Sequence, residues 1–279
     1  MASCGSAIAR RYRGVSLPSV LAEDIGSKWL HWPWVTDHLD DIREALVEHV
    51  ELTLYAMAIG LAVSVALGLL CLRSRRVYGP VLAITGILYT IPSLAFFAVM
   101  VPVFGLFSIW TAVVPLALYT LLILVRNIVT GFEGVPPEVR EAAQGMGYSR
   151  RRQLWRVELP LALPAIVVGI RIAIVTTIGL VTVTALIGQG GLGALIIDGF
   201  NRDFRTPLTV GVVLSLALAL VADLLLIGVL WLATPWERVG RGRAGRRRRA
   251  ARAAATAGAR GVGVAAADTA GRPMMEEVG

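Results

Sequence analysis

Charge is scarce in this sequence. Only 16% of its 279 residues are charged, whereas 56% are hydrophobic and the mean hydropathy is +0.69. Soluble domains usually carry about 25% charged residues. The shortage argues against an ordinary soluble enzyme.

Residues that support covalent or metal chemistry are also few. The two cysteines, Cys4 and Cys71, form no CxxC pair, and the three histidines are scattered. The sequence therefore predicts neither a disulfide framework nor a metal site. The single lysine, Lys28, follows Ser27 and does not stand in a Gly-Lys-Ser/Thr phosphate loop, so the chain lacks the motif of ATP hydrolysis. We expect no catalytic residue and no cofactor in this chain.

The sequence contains long stretches without any charged residue. Residues 77–125, 49 in all, include no Asp, Glu, Lys or Arg, and 52–72 and 172–197 are likewise uncharged. A helix crosses a bilayer core with about 20 apolar residues, so the longest stretch fits two spans that turn at Phe104–Phe107. The sequence predicts an all-α membrane protein with five spans, at about 50–72, 80–104, 107–126, 163–187 and 207–233.

The composition divides the chain into three parts. Residues 1–48 lack the apolar core of a signal peptide and have three tryptophans around Pro33, typical of a membrane interface or an extracytoplasmic segment. Residues 49–236 form the transmembrane domain. Residues 237–279 are rich in Ala, Gly and Arg without a periodic apolar face, and we expect a disordered basic cytoplasmic tail.

The basic residues predict the orientation. The short loop after the first span, the long loop 127–162 with Arg126 and the C-terminal tail together carry 19 basic residues, against two in the opposite loops. Basic loops stay in the cytoplasm. Five basic residues in the N-terminal segment count against this orientation, and Arg171, near one end of its span, is expected to snorkel to the interface. A nucleic-acid role for the tail is the weaker interpretation, because no binding fold accompanies it.

The long loop predicts a helix, a turn and a second helix. Pro137 and the acidic Glu138 suit a first helical turn, and Gly145 and Gly147 suit its end. A basic amphipathic stretch follows and should stop at Pro160 and Pro164. A solvated surface loop is one interpretation; a docking element is the other, because long connections are usually functional.

A spaced motif in this loop resembles the EAA loop of ABC-importer permeases, whose pattern is E-A-A-x3-G-x9-I-x-L-P. The matching residues are Glu141, Ala142, Ala143, Gly147, Val157, Leu159 and Pro160. Only Val157 departs from the pattern, with Val for Ile. In that family the loop forms a coupling helix that sits in a groove of a separate ATPase, and the resemblance implies this role here.

Other segments resemble the permeases for glycine betaine, choline, carnitine and related osmoprotectants. These segments are Glu48–Thr53, Ile87–Ala95, Leu124–Asn127 and Ala185–Gly193. The resemblance covers about 48–236 and implies a type I importer core. Methionine-type importers share a similar GGLG segment, so an amino acid or a sulfonate stays open as the solute.

The resemblance also implies an assembly in a bacterial inner membrane. A second permease chain, the same or paralogous, would complete the pathway. Two cytoplasmic ATPases would bind ATP and Mg²⁺, and an extracytoplasmic protein would deliver the solute. The alternative of another class is an ion-coupled secondary transporter, which would need intramembrane charged pairs; a membrane enzyme lacks a catalytic constellation.

Several residues are candidates for the pathway or a gate. Pro92 interrupts a predicted span, where a proline kinks a helix. Asp223 is an acid near the middle of the last span, where it should face the bundle or a partner chain. Gly190, Gly191 and Gly193 let the chain turn at the outer face and could permit motion there; with Gly188 they also fit a dinucleotide fingerprint, but without its strand.

Overall fold

The computed structural model describes residues 29–234. The expected disordered tail and most of the N-terminal segment lie outside this range, and the division at residues 48 and 236 stays a prediction. The described part is helical: α1 Trp32–Asp37, α2 Leu39–Arg73, α3 Arg75–Thr90, α4 Ser93–Phe104, α5 Trp110–Glu133, α6 Pro137–Gly145, α7 Arg150–Gln153, α8 Leu159–Thr184, α9 Leu192–Asn201 and α10 Arg205–Ala233.

Helix α5 is the centre of the bundle. It packs against α2, α3, α4 and α8, and most of its length is buried. The central cluster joins four of these helices through Leu52, Ala56, Phe97, Val113, Leu116 and Val181. By contrast, α10 exposes most of its apolar side chains, as expected of a helix that meets lipid or another chain.

The helices confirm the all-α membrane fold. Four elements are long and apolar enough to cross a membrane, namely α2, α5, the run Arg150–Ile187 and α10, and the pair α3 and α4 makes up to five. The predicted turn near Phe104 is present, since α4 ends there and Gly105 has φ of 90°. Internal contacts divide the chain after Gly228, and the six described residues beyond it belong to the last turns of α10 and to Thr234.

The second predicted span is not one helix. Helices α3 and α4 meet at an angle of 94°. Pro92 causes the break, because a proline lacks the N–H that would continue the ladder and forces the preceding residue out of the helical region. Ile91 is accordingly extended, with ψ of 127°. The expectation of a single span over 80–104 was therefore wrong in shape.

The second helix of the long loop does not stop at the prolines. After α7 the chain forms a π-helical segment, Leu154–Glu158, and continues without a break into α8. Pro160 lies near the start of α8, and it cannot donate the backbone bond that would continue the ladder from the preceding turn. The π segment just before it fits an interruption of the normal ladder.

The glycine-rich connection 188–206 contains a helix that sequence analysis missed. Helix α9 is apolar but only 10 residues long, too short to cross a bilayer. Its Leu192 and Leu195 are buried with Ile42 of α2, and Val210 and Leu214 of α10 pack against them. Helix α9 thus packs against α2 and α10 and lies in the connection between α8 and α10.

Candidate functional site

Helix α6 carries the first half of the spaced motif and ends in a Schellman cap. The Tyr148 N–H donates to the Ala143 carbonyl at 3.1 Å and the Gly147 N–H to the Gln144 carbonyl at 2.9 Å. This pattern requires a left-handed residue at Gly147, whose φ is 75°. The spacing from Ala143 to Gly147 is therefore the spacing of a helix end.

A single arginine ties α6 to the bundle. Arg140 donates to the backbone carbonyl of Phe132, in the last turn of α5. Its Nε lies 3.6 Å from a carboxylate oxygen of Glu158, which in turn accepts a hydrogen bond from Gln153 at 2.9 Å. Arg140 thus links α6 to the end of α5 and to the π segment that precedes α8.

The opposite side of α6 is free among the described residues. Ala143 is only 1% exposed, whereas Glu141 and Ala142 face outwards. Two large apolar side chains of the same loop are also exposed, Met146 at 69% and Trp155 at 60%. Exposed apolar residues beside a polar helix are typical of a protein contact surface.

The second half of the motif lies where the loop joins the membrane helices. Val157 is half-buried in the π segment, and Pro160 opens α8. Leu159 packs against a buried cluster formed by Ile128, Phe132 and Ala162. The structure thus brings Glu141, Ala142, Ala143 and Gly147 together on one short element, with the other three motif residues at its attachment to the bundle.

At the other end of the bundle, two residues of α2 hold the start of α9. The Gly191 N–H donates to a Glu48 carboxylate oxygen at 2.9 Å, and the Leu192 N–H donates to His49 Nδ1 at 3.3 Å. His49 is fully buried, and its Nε2 lies 3.1 Å from the Ile178 carbonyl of α8. Since Nδ1 accepts, the proton is on Nε2, and His49 bridges α8 and α9 as the neutral ring.

The glycines of this connection make the contact possible. A Cβ on Gly190 would collide with the Glu48 carboxylate, and one on Gly193 would collide with the Thr182 backbone. Gly191 has φ of 84° and caps α9. A dinucleotide fingerprint is not supported here, because the preceding element is the helix α8 and not a strand.

Gln189 ties the same loop to a second connection. Its Nε2 donates to the Leu106 carbonyl at 2.9 Å and lies 3.3 Å from the Ser108 carbonyl. These residues form the turn between α4 and α5. We call this region, with Glu48, His49 and residues 188–192, the glycine-loop end.

The break at Pro92 is supported by aromatic side chains. The Tyr119 hydroxyl of α5 donates to the Ile91 carbonyl at 2.5 Å, which satisfies a group that the broken helix leaves open. The rings of Tyr89 and Phe96 meet Tyr119 edge to face. Irregular backbone at membrane depth needs such internal partners.

Asp223 has a charged partner. Arg171 Nε and a terminal nitrogen lie 2.7 and 2.9 Å from its two carboxylate oxygens. This bidentate ion pair joins α8 to α10. The Arg171 side chain thus has an opposite charge within its own chain, and its expected reach to the interface stays a prediction.

Sequence reasoning missed three of these links. It gave no role to Glu48 or His49, although their segment contributed to the resemblance. It also treated Arg171 and Asp223 separately, although two opposite charges within apolar spans should pair. The site residues Pro92, Gly190, Gly191 and Gly193 lie at a helix break and a helix cap, but their role in a pathway stays a prediction.

Similarity to known proteins agrees with this architecture. Residues 58–228 match the family described as binding-protein-dependent transport system inner membrane component. The chain is 36% identical over 206 residues to the osmoprotectant import permease protein OsmW of Salmonella typhimurium, which covers 72% of this chain and 96% of that protein. It is 37% identical over 179 residues to the choline transport system permease protein OpuBB of Bacillus subtilis, covering 64% and 82%.

Solved structures share the fold at lower identity. An inward-facing structure of the MetNI methionine ABC transporter superposes with a TM-score of 0.64 at 21% identity, over 71% of this chain and 98% of that chain. An amino acid ABC transporter superposes with a TM-score of 0.60 at 18% identity. The chain therefore belongs to the family of binding-protein-dependent transport system inner membrane components.

Proposed function

We propose that this chain is the permease subunit of an ATP-driven importer that takes up glycine betaine, choline, carnitine or a related osmoprotectant. The names of its relatives in Salmonella and Bacillus support this class of solute. The observation that carries the mechanism is α6, a capped helix with one face bonded to the bundle and one face open.

The open face of α6 docks on a cytoplasmic ATPase. Glu141 and Ala142 contact the groove of that subunit, and the exposed Met146 and Trp155 extend the surface. ATP and Mg²⁺ are bound by the ATPase. When two ATPases close, the α6 helices of two permease chains approach each other, and Arg140 passes the movement to α5 and α8.

The glycine-loop end acts as the outer gate. An extracytoplasmic binding protein delivers the solute there, and the movement of α8 relative to α2 shifts α9, because Glu48 and His49 hold its start. The basic loops favour a cytoplasmic position for α6 and an outer position for the glycine loop. Rocking of the two chains then alternates access.

Uptake in cells tests the energy source and the solute. The chain is expressed with its ATPase and binding protein in cells that lack other osmoprotectant uptake, and labelled glycine betaine, choline and methionine are supplied. We expect uptake of the first two, and its loss after ATP depletion. Uptake that survives ATP depletion but stops when ion gradients collapse contradicts the proposal, and uptake of methionine alone overturns the solute.

A double-mutant cycle tests the gate. Gly190→Ala pushes a methyl group into the Glu48 carboxylate, so each of Gly190→Ala and Glu48→Ala should reduce uptake. Because both changes disturb one contact, the double variant should lose less than the sum of the singles. Gly179→Ala, where a Cβ meets open space, is the control. Additive losses in the double variant count against a gate held at this point.

A further inference from the structure

A large cavity lies at the α6 end of the bundle. Its volume is about 1030 Å³. It is open on one side and is bordered by the end of α2, the start of α3, the end of α5 and the loop from α6 to the π segment. Its lining includes five arginines and two glutamates: Arg73, Arg75, Arg140, Arg150, Arg151, Glu133 and Glu158.

The two carboxylates already have partners. Glu133 lies 2.9 Å from an Arg75 nitrogen. Glu158 accepts from Gln153 at 2.9 Å and is 3.6 Å from Arg140. Both negative charges of the cavity are therefore used to hold the protein together, and they leave a formal excess of three positive charges.

Three arginines carry this excess. Arg73, Arg150 and Arg151 are exposed, and among residues 29–234 no hydrogen bond or ion pair is recorded for them. They come from two separate elements, the end of α2 and α7, yet line the same space. Guanidinium groups that line one cavity suit phosphate, which accepts forked hydrogen bonds.

The same cavity has an apolar wall. Leu69 and Leu72 of α2, Val129 of α5 and Leu154 of the π segment line it beside the arginines. These residues lie in the last turns of α2 and α5 and in the π segment before α8. A ligand that joins an anionic phosphate to acyl chains matches both walls, and basic pockets between membrane helices bind such head groups.

We propose that this cavity binds the phosphate group of an anionic phospholipid from the adjacent leaflet, through Arg73, Arg150 and Arg151. The lipid would lie between α2, α5 and the loop that carries α6. It would fill the space behind α6 and so support the element that receives force. The site does not depend on which solute is transported.

Native mass spectrometry of the full-length chain tests the site. The purified protein is exchanged into micelles that contain phosphatidylglycerol and phosphatidylcholine in equal amounts. We expect retained phosphatidylglycerol in preference to phosphatidylcholine. Arg150→Gln/Arg151→Gln should lower the retained phosphatidylglycerol by about tenfold, since each arginine near a membrane surface contributes an appreciable share of the attraction.

A matched control removes the same charge from neighbouring segments of the chain. Arg76→Gln/Arg156→Gln changes two exposed arginines that do not line the cavity, and it should retain the lipid as the wild type does. Arg73→Gln, on a different helix, should weaken retention independently. Circular dichroism and the unfolding temperature in phosphatidylcholine micelles check that each variant is folded.

Four results would overturn the proposal. The first is no preference of the wild type for phosphatidylglycerol, and the second is an equal loss in both double variants. The third is retention of ATP or inorganic phosphate, tested in place of the lipid, by the wild type without any lipid preference. The fourth is release of the ATPase from the assembled transporter by Arg150→Gln/Arg151→Gln with unchanged lipid retention, which would make the cavity wall a protein contact.

Discussion

At the glycine-loop end, the fully buried His49 and Glu48 form hydrogen bonds with backbone groups of α8 and α9. At the α6 end, the polar groups are mostly arginines that border an open cavity. Both ends are polar. They differ in whether the polar groups have hydrogen-bond or ion-pair partners within the chain. His49 has both ring nitrogens occupied, but Arg150 and Arg151 have no recorded partner among the described residues.

The difference indicates which end is complete by itself. Buried polar groups that are fully bonded fix one arrangement, so the glycine-loop end holds a defined geometry without a partner chain. Exposed cations and the apolar Met146 and Trp155 at the α6 end leave binding capacity for lipid and protein. Substitutions at the first end should therefore reduce folding stability together with uptake, whereas those at the second should reduce function without unfolding.

The largest loss of stability is expected for His49→Ala. The change leaves the buried Leu192 N–H without its partner, at about 1–3 kcal/mol. It also removes the second bond to the Ile178 carbonyl, which keeps its helical bond within α8, and empties the space of a fully buried ring, which adds a cavity cost. We expect a clearly lower unfolding temperature in detergent and loss of uptake. His38→Ala, which removes a half-buried ring stacked on Trp34, is the control and should cost less. An unchanged unfolding temperature for His49→Ala would break the distinction between the two ends.

The ion pair between α8 and α10 gives the next effect. Asp223→Leu leaves the Arg171 charge within the apolar helices, at about 2.5–3.5 kcal/mol on insertion scales. Arg171→Leu/Asp223→Leu removes both charges and should restore most of the stability. We also expect the double variant to transport. If it folds normally but transports nothing, the pair takes part in the transport cycle, and its role is not structural alone.

Much of this architecture could be predicted from uncharged stretches, because membrane helices need long apolar segments whatever they pack against. The helix end at Gly147 could also be predicted, since a Schellman cap has a local spacing. The contact of His49 with Ile178 and Leu192 could not, because it joins residues more than 100 positions apart.

The two wrong predictions of helix shape, at Pro92 and Pro160, concern local signals whose outcome depends on other residues of the fold. The break at Pro92 is a local signal, but whether a proline kinks or breaks a helix depends on a partner for the freed carbonyl, here the Tyr119 hydroxyl. The continuous helix through Pro160 depends on the π segment before it. Short α9 was hidden because glycines are typical of loops, whereas here they serve close approach to α2 and α8.

Gly147 tests the α6 end with a smaller change in stability. A Cβ there meets open space, so the strain comes from the left-handed backbone, about 1–2 kcal/mol for an L residue. Asn tolerates this conformation better than Val. We expect Gly147→Val to uncouple ATP hydrolysis from uptake while the chain stays in the membrane, and Gly147→Asn to keep more uptake.

Gly145→Ala is the matched control for this series. Gly145 lies within α6 and a Cβ there also meets open space, but its backbone is helical, so alanine should be tolerated or slightly stabilising. Equal uptake in Gly147→Val and the wild type would count against force transmission through α6. A loss in Gly145→Ala as large as in Gly147→Val would mean that any added side chain blocks the docked partner.

The smallest effect is expected for the exposed ion pair between α3 and α5. The Arg75 side chain is 84% exposed and that of Glu133 39%, and such surface pairs contribute about 0–1 kcal/mol. Glu133→Gln should therefore change the unfolding temperature only slightly, and less still at high salt, where the pair is screened. It frees Arg75 within the cavity, however, so the same variant should bind more phosphatidylglycerol than the wild type. A large loss of stability in Glu133→Gln would show that the α6 end is held as tightly as the glycine-loop end.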